Sequence, residues 1–376
     1  MKIPFNRVDI TDLEKDYVLS LLNSSTMNCV EELEENFASY VDSEYTLATS
    51  HGTSALHLAM LALELKRGDK VVCSVNAFAD VPEVVRHFDA EPIFIDIEED
   101  SFNIDLNKLE NYLEEHKSKK LKAVIVSHIA GQCVDLERLY NIAKIYDVKI
   151  VEDASDALGA VYKGQKVGSK IEGMGADIIC FNFNPYMKKS VCNGGMLVTN
   201  DEEIYDRAKL LRNHAISTPN EGLKYIYNVS GIGTDYTMSQ LDAAFLLGKL
   251  DKRDSAIKRQ KEIAKIYEER LASVAHVTTP THDDEHIFTN YIIKVDKNRD
   301  SFARALEEKG IQTAINYIPL HLMSYYKTKY ELRINDYPTA LRNYSQILSI
   351  PIFSSMSDKE VDYICKTITD VAKNRV

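Results

Sequence analysis

Short apolar runs alternate with stretches of helical periodicity through the first two thirds of the chain. The apolar runs predict strands at 45–49, 70–74, 91–97, 121–127, 148–151 and 176–183. The helical periodicity predicts helices at 11–23, 30–41, 55–63, 105–116, 136–146 and 202–211. Short strands that alternate with helices are typical of βαβ units and a mostly parallel sheet. A further apolar run at 195–200 predicts a returning strand, antiparallel to the others.

The last third of the chain has a different pattern and predicts a smaller α+β domain. A long helical stretch rich in Lys, Glu and Ala begins at Met238. We place the domain boundary inside it, which gives a large domain of residues 1–245 and a small domain of residues 246–376. The small domain is predicted to hold strands at 288–295 and 312–317 and helices at 299–309 and 358–373.

Composition narrows the class of protein. The chain has 376 residues, a formal net charge of −12 and a pI of about 5.4, which argues against a nucleic-acid partner or an anionic membrane surface. No apolar stretch reaches the ~18 residues that a membrane span needs. The six cysteines have no C-x-x-C spacing, so we expect buried thiols, a reducing compartment and a cytoplasmic location. We find no metal-ligand cluster.

The candidate chemistry gathers where predicted strands end. Ligands of parallel α/β sheets bind beyond the carboxyl ends of the strands, and Gly52, Phe78, His128, Asp153 and Phe183 all fall there. A strand that is followed by Gly-Thr-Ser and then by a helix exposes the N-terminus of that helix to a phosphate. Capping of the helix by a Thr or Ser hydroxyl is the alternative interpretation.

A carboxylate and two lysines follow neighbouring strands. Asp153 ends an apolar strand, and Lys188 and Lys189 lie in the loop after Phe183. These are the groups that a pyridoxal phosphate (PLP) enzyme needs, because a carboxylate keeps the pyridine nitrogen protonated and a lysine amine bonds the aldehyde. The alternative is that the two lysines are solvated loop charges.

Longer motifs carry a resemblance to a known family. They include Ser-His-Gly-Thr-Ser-Ala-Leu-His-Leu at 50–58, Glu-Asp-Ala-Ser-Asp-Ala-Leu-Gly-Ala at 152–160, Gly-Gly at 194–195, Leu-Arg-Asn-His at 211–214 and Pro-Leu-His at 319–321. In these motifs the chain resembles the DegT–DnrJ–StrS family of sugar-nucleotide aminotransferases. The resemblance implies an aspartate aminotransferase-like α/β fold (PLP fold type I), with a large, mostly parallel, seven-stranded sheet and a smaller C-terminal domain.

The resemblance also implies roles for single residues. Asp153 is expected to pair with the pyridine nitrogen and Phe78 to stack on the ring. Gly52 and Thr53 occupy the phosphate cradle. Three further residues take cofactor-binding positions: Asp156 near the ring oxygen, Asn182 in place of a phosphate-binding Ser, and Asp235 in place of an Asn that a partner subunit offers to the phosphate.

The chain departs from the family pattern at the lysine. The family's lysine lies six residues after the first Phe of its Phe-Ser-Phe pattern, and the same count from Phe181 gives Met187. The nearest amine is Lys188, which a one-residue bulge would bring to the site. Asp235 is a second departure, because a carboxylate repels a phosphate where an Asn would donate a hydrogen bond.

Three hypotheses follow from the resemblance. The first is a PLP-dependent aminotransferase of polysaccharide biosynthesis that acts on a keto-sugar nucleotide, takes its amine from glutamate, and works as a homodimer with shared sites. Its catalytic residues would be Lys188 and Asp153. The second is a keto-sugar dehydratase-like enzyme without the covalent lysine, in which His128, Lys188 or another group would serve as the base. The third is a catalytically silent homologue that acts as a structural or regulatory partner.

Overall fold

Seven short apolar strands form the central sheet of the computed structural model, which describes residues 1–171, 173–183, 190–218, 223 and 225–373. Their order is β1-β9-β8-β5-β4-β2-β3. The bounds are β1 (Tyr45–Thr49), β2 (Lys70–Ser74), β3 (Glu91–Ile95), β4 (Leu121–Ser127), β5 (Lys149–Asp153), β8 (Ile178–Asn182) and β9 (Gly195–Thr199). Only β9 runs antiparallel to its two neighbours, β8 and β1. The predicted mostly parallel sheet and its returning strand are therefore confirmed.

Helices cover both faces of this sheet, so its strands are buried on both sides and read as continuous apolar runs. One hydrophobic core lies against α2 (Cys29–Val41), α5 (Leu106–Glu115), α6 (Leu136–Tyr146) and α8 (Gln240–Asp251). The core on the opposite face lies against α3 (Gly52–Ala62), α4 (Asp80–Arg86) and α7 (Glu202–Leu211). The N-terminal helix α1 (Asp12–Asn23) packs on α8.

A third hydrophobic core belongs to the C-terminal part. It surrounds a three-stranded antiparallel sheet of β12 (Val277–Thr278), β13 (Tyr291–Val295) and β14 (Ile347–Ile350). The helices packed on it are α9 (Arg253–Leu271), α10 (Arg299–Glu308) and α13 (Asp358–Lys373). The start of the chain also joins this core, because Ile3 is buried there and pairs with Ile311.

The change from the first core to the third falls within α9. Ile257 packs in the first core and Ile263 in the third. The division at residue 245 stays a prediction.

One predicted strand of the small domain is wrong. Residues 312–317 make a single bridge, from Ala314 to Ser349, and not a continuous ladder. On the side of β13 opposite β12, the pairing strand is β14, which directly follows a helix and has only four residues.

The remaining elements are short. They are two-stranded ribbons of β6 (Val161–Tyr162) with β7 (Gln165–Lys166) and of β10 (Ile216–Ser217) with β11 (Asn228–Val229), and the helices α11 (Ser324–Lys329) and α12 (Pro338–Gln346). None of the helices in the described ranges combines the length and apolar character that crossing a bilayer requires.

Candidate active site

The N-terminus of α3 presents free backbone donors at the carboxyl edge of the sheet. The residue before the helix, His51, makes no side-chain cap, and within the described ranges no acceptor bonds the N–H groups of Gly52, Thr53 or Ser54. The hydroxyls of Thr53 and Ser54 contact Asp80 and Ser50 instead, so neither caps the helix. These N–H groups and the positive end of the helix dipole are available to an anion.

The end of β8 lies directly against this helix start. A Cβ atom at Gly52 would lie 2.4 Å from the Cβ of Asn182. A Cβ at Gly195, the first residue of β9, would lie 2.4 Å from the carbonyl oxygen of His51. Only glycine permits these two close approaches. The structure therefore places Asn182 beside the three free N–H groups.

Asp153 is the last residue of β5 and holds a buried carboxylate at the same edge, 7% exposed. Its Oδ2 accepts a hydrogen bond from Ser127 Oγ at 3.0 Å. Its Oδ1 accepts from the Ser155 N–H at 3.2 Å and from Ser155 Oγ at 2.5 Å. Three donors, one from the end of β4 and two from the residue Ser155 after β5, fix the orientation of this carboxylate, as a group that pairs with a cationic ring nitrogen requires.

Aromatic and polar side chains from the C-terminal part close the site on another side. The ring centroids of Phe78 and Tyr317 lie 5.6 Å apart. The buried Asp156 accepts a hydrogen bond from Asn290 Nδ2 at 3.2 Å and lies 3.5 Å from the Tyr317 hydroxyl. Burial, Asp156 and Asp153 raise the pKa of Tyr317 far above its ordinary value, so Tyr317 stays a neutral donor. The two parts of the chain thus meet at Asp156.

Asp80 is a site residue that the sequence analysis missed. It begins α4, two residues after Phe78, and is 8% exposed. Thr53 Oγ1 donates to its Oδ2 at 2.9 Å. Burial and then the neighbouring Asp153 raise the pKa of Asp80 to about 7, against the opposing effect of the Thr53 hydrogen bond. The signal in the sequence was an aspartate followed by an apolar Val-Pro pair, which resembles an ordinary acidic first turn of a helix.

His128 is not part of this cluster. It is buried, its Nδ1 accepts from the Val134 N–H at 3.2 Å, and its Nε2 lies 3.1 Å from Glu152 Oε2. Tyr140 donates to the other oxygen of Glu152 at 2.5 Å. Both ring nitrogens of His128 have partners, so neither is free to take a proton from a substrate. These bonds argue against a base role for His128, which stays a prediction.

Asp235 is exposed. Its carboxylate accepts hydrogen bonds from the N–H and the hydroxyl of Thr237, which lower its pKa. Its backbone pairs with Asn213. The cofactor-binding role of Asp235, including its service to a second subunit, stays a prediction.

The predicted lysine, Lys188, and the methionine at the family's count, Met187, lie outside the described residues. The two residues that flank segment 184–189, Phe183 and Ser190, both border a cleft of about 230 Å³. Ser155, Asp156 and Asn182 line the same cleft. The described chain therefore stops and resumes at the wall of this cleft.

A model of the DegT/DnrJ/EryC1/StrS aminotransferase family matches residues 8–369, nearly the whole chain. The chain belongs to this family. The described residues contain no group of three or more His, Cys, Asp or Glu side chains placed to hold a metal ion. The PLP that the family resemblance implies is the group to test against the site.

Individual relatives of this aminotransferase family member cover most of its length. It is 31% identical over 342 residues to the dTDP-3-amino-3,6-dideoxy-alpha-D-galactopyranose transaminase of Aneurinibacillus thermoaerophilus, covering 90% of this chain and 89% of that protein. It is 31% identical over 357 residues to the spore coat polysaccharide biosynthesis protein SpsC of Bacillus subtilis, covering 92% and 90%. The PMP form of Spr1654 from Streptococcus pneumoniae superposes with a TM-score of 0.91 at 27% identity over 100% of both chains.

The residues present fit PLP. Free N–H groups at the start of α3 match its phosphate, and the thrice-bonded Asp153 carboxylate matches its ring nitrogen. Phe78, whose ring lies 5.6 Å from that of Tyr317, supplies an aromatic face. Spr1654 has also been solved in a PLP form, with a TM-score of 0.89 to this chain.

Proposed function

We propose that this family member is a PLP-dependent aminotransferase that acts on a keto-sugar nucleotide with glutamate as the amino donor. The observation that carries the proposal is the meeting of the Asp153 carboxylate, the aromatic Phe78 and the free N–H groups of α3 at one sheet edge. A nucleotide-linked sugar is supported by the name of the Aneurinibacillus relative. When bound, PLP supplies an aldehyde conjugated to an electron-withdrawing ring, which carries the amine between donor and acceptor.

The residues of the chain have separate tasks in this proposal. Asp153 holds the proton on the pyridine nitrogen. The N–H groups of Gly52 and Thr53, together with Asn182, bind the phosphate. Phe78 packs on the ring. Asp156 lies beside the ring, where it accepts hydrogen bonds from Tyr317 and Asn290. Lys188 would hold the cofactor through its aldehyde, and its amine would move the proton at the Cα of the donor.

Borohydride reduction tests the role of Lys188. Reduction of the PLP-loaded protein fixes the cofactor to the amine that it bonds, and peptide mapping then identifies that amine. We expect the label on Lys188, its loss in Lys188→Ala and its retention in Lys189→Ala, which removes the neighbouring charge. A label on another lysine, or an unchanged label in Lys188→Ala, contradicts the assignment.

A dehydratase-like reaction with non-covalent PLP is the second candidate, and Met187 at the family's lysine position favours it. The bonds of both ring nitrogens of His128 argue against His128 as its base, so that Lys188 or another group would serve. This candidate predicts that PLP binds without a reducible bond and that the keto sugar loses water without gaining an amine. If the protein takes up no PLP at all, the result supports the third hypothesis, a catalytically silent homologue.

A homodimer with shared sites is part of the proposal. Large apolar side chains are exposed along the β10–β11 ribbon and the segment after it; they are Leu223, Tyr225, Ile226, Tyr227, Val229 and Ile232. Such a patch on a chain of net charge −12 is typical of a protein–protein contact. Asp235 directly follows this patch, where a second copy would meet it.

We place the enzyme in the cytoplasm. All six cysteines are free thiols, five of them buried, which agrees with a reducing compartment. The acidic net charge supports a small-molecule substrate and not a nucleic-acid or membrane partner.

A further inference from the structure

Asp80 places a carboxyl group at the phosphate end of the site. It contacts Thr53, which lies in the first turn of α3 between two of the free N–H groups. The distance of 2.9 Å shows that Thr53 donates its hydroxyl hydrogen to Asp80 Oδ2 when Asp80 is ionised. In that state the lone pairs of the Thr53 hydroxyl, and not its hydrogen, are left to face an incoming phosphate.

Among the described residues, the surroundings of Asp80 provide no positive charge to balance it. The titratable groups that face it are Asp153 at the end of β5, Glu83 on α4, Cys180 in β8 and Tyr317. Burial raises the pKa of both Cys180 and Tyr317, so these two groups are neutral. Across the ranges that the structure describes, no lysine or arginine forms an ion pair with Asp80. An ionised Asp80 and a phosphate dianion would repel each other in a partly dry site.

We propose that the Asp80 carboxyl must hold a proton for a phosphate to bind at the α3 N-terminus, so that Asp80 couples cofactor binding to proton uptake. One proton joins the carboxylate as the phosphate enters, and no other bond changes. The neutral carboxyl then donates to the Thr53 oxygen, and the Thr53 hydroxyl turns its hydrogen to the phosphate. This proposal rests on the proposed function, because the phosphate is that of PLP.

The sign of the pH dependence follows from the raised pKa of Asp80, about 7. Because the bound state keeps the proton, phosphate binding raises that pKa further. Affinity is therefore complete below about pH 7 and falls as the pH rises above it, by up to about tenfold per pH unit. Asp80→Asn, which is neutral at every pH, loses this dependence.

The test is isothermal titration of the cofactor-free protein with pyridoxine 5′-phosphate and with pyridoxine. Neither probe has an aldehyde, so the titration of lysines does not enter through a covalent bond. Between about pH 7 and about pH 8.5 we expect the wild-type affinity for pyridoxine 5′-phosphate to fall by about tenfold or more relative to Asp80→Asn. Pyridoxine, which lacks the phosphate, should show the same pH profile in both proteins.

Glu83→Gln is the matched control, since it removes one charge from the same helix at an exposed position. It should keep most of the wild-type pH dependence. Parallel pH profiles for wild type and Asp80→Asn with pyridoxine 5′-phosphate would overturn the proposal and leave the proposed function standing. If neither probe binds any of these proteins at any pH, both the proposal and the proposed function fail.

A second measurement needs no variant. Titration of the wild-type protein at about pH 8 in buffers of different ionisation enthalpy counts the protons taken up on binding. We expect uptake approaching one proton per pyridoxine 5′-phosphate, in excess of any uptake with pyridoxine. Equal proton uptake with both probes would overturn the proposal, even if Asp80→Asn failed to fold.

Discussion

Two neighbouring carboxylates at the end of β5 serve different purposes because successive side chains of a strand point to opposite faces. Asp153 faces the candidate site and is held by Ser127 and Ser155. Glu152 faces the other way and accepts from Tyr140 and His128. The first arrangement orients a charge toward a ligand, and the second satisfies a buried charge inside the protein.

Removal of the Tyr140 hydroxyl tests this division. Tyr140→Phe leaves one oxygen of the buried Glu152 without its donor, so we expect unfolding free energy to fall by about 1–3 kcal/mol. The kcat and KM of the folded enzyme should stay close to those of the wild type. Urea denaturation and steady-state kinetics measure the two effects.

Tyr112→Phe is the matched control, because Tyr112 is only half-buried and stacks on His116. Its unfolding free energy should change little. If Tyr140→Phe lowered kcat without changing the free energy of unfolding, the hydrogen-bonded group of Tyr140, Glu152 and His128 would belong to the catalytic site.

At the scale of elements, the site depends on how closely β8 and β9 approach the start of α3. The glycines at 52 and 195 were visible in the sequence, as were the strands that they join. The reason why these positions require glycine was not visible, because it lies in distances between segments more than a hundred residues apart. The wrong strand at 312–317 has a similar origin: its apolar pattern is that of a strand, but only Ala314 bridges Ser349.

Gly52→Ala should separate β8 from α3. The new Cβ would lie 2.4 Å from Asn182 Cβ and 3.0 Å from its Cα, so backbone has to move. We expect the affinity for PLP to fall by about tenfold or more, with a loss of stability of about 1–3 kcal/mol from the strain of overpacking. PLP titration and thermal denaturation measure these changes.

Gly175→Ala is the comparison for this variant. Its Cβ would meet nothing closer than Lys170 Cγ at 3.7 Å, an ordinary contact. It should bind PLP as the wild type does. Equal PLP affinities for the two variants would show that the close approach at Gly52 does not shape the phosphate end.

At the scale of the whole molecule, the order of strands and helices fixed the fold class, and the family motifs fixed the expected places of Asp153 and Gly52. The direction in which each side chain points could not be predicted from the sequence. The His128 side chain points into the core, whereas the Asp80 side chain points into the site. Strand alternation places neighbours on opposite faces, but which face meets the ligand depends on the packed sheet.

The exposed apolar patch predicts assembly. Ile232 is 91% exposed in the single chain, and Ile232→Asp should weaken a dimer that buries it, because a charge would be desolvated without a partner. Sedimentation velocity over a range of concentrations should show that the dimer dissociation constant of the variant is about tenfold higher than that of the wild type, or more.

Ile145→Asp provides the control on another surface, since Ile145 is 68% exposed on α6. It should leave the sedimentation profile unchanged. A wild-type protein that sediments as a monomer at all concentrations would refute the shared site.

The most direct test of the proposed aminotransferase is a single half-reaction. Glutamate is added to the PLP-loaded protein without any sugar, and the cofactor absorbance and released 2-oxoglutarate are measured together. The account predicts conversion of the cofactor to its amine form with an equimolar amount of 2-oxoglutarate, and loss of both signals in Lys188→Ala. Bound PLP that glutamate leaves unchanged, with no 2-oxoglutarate released, would contradict it.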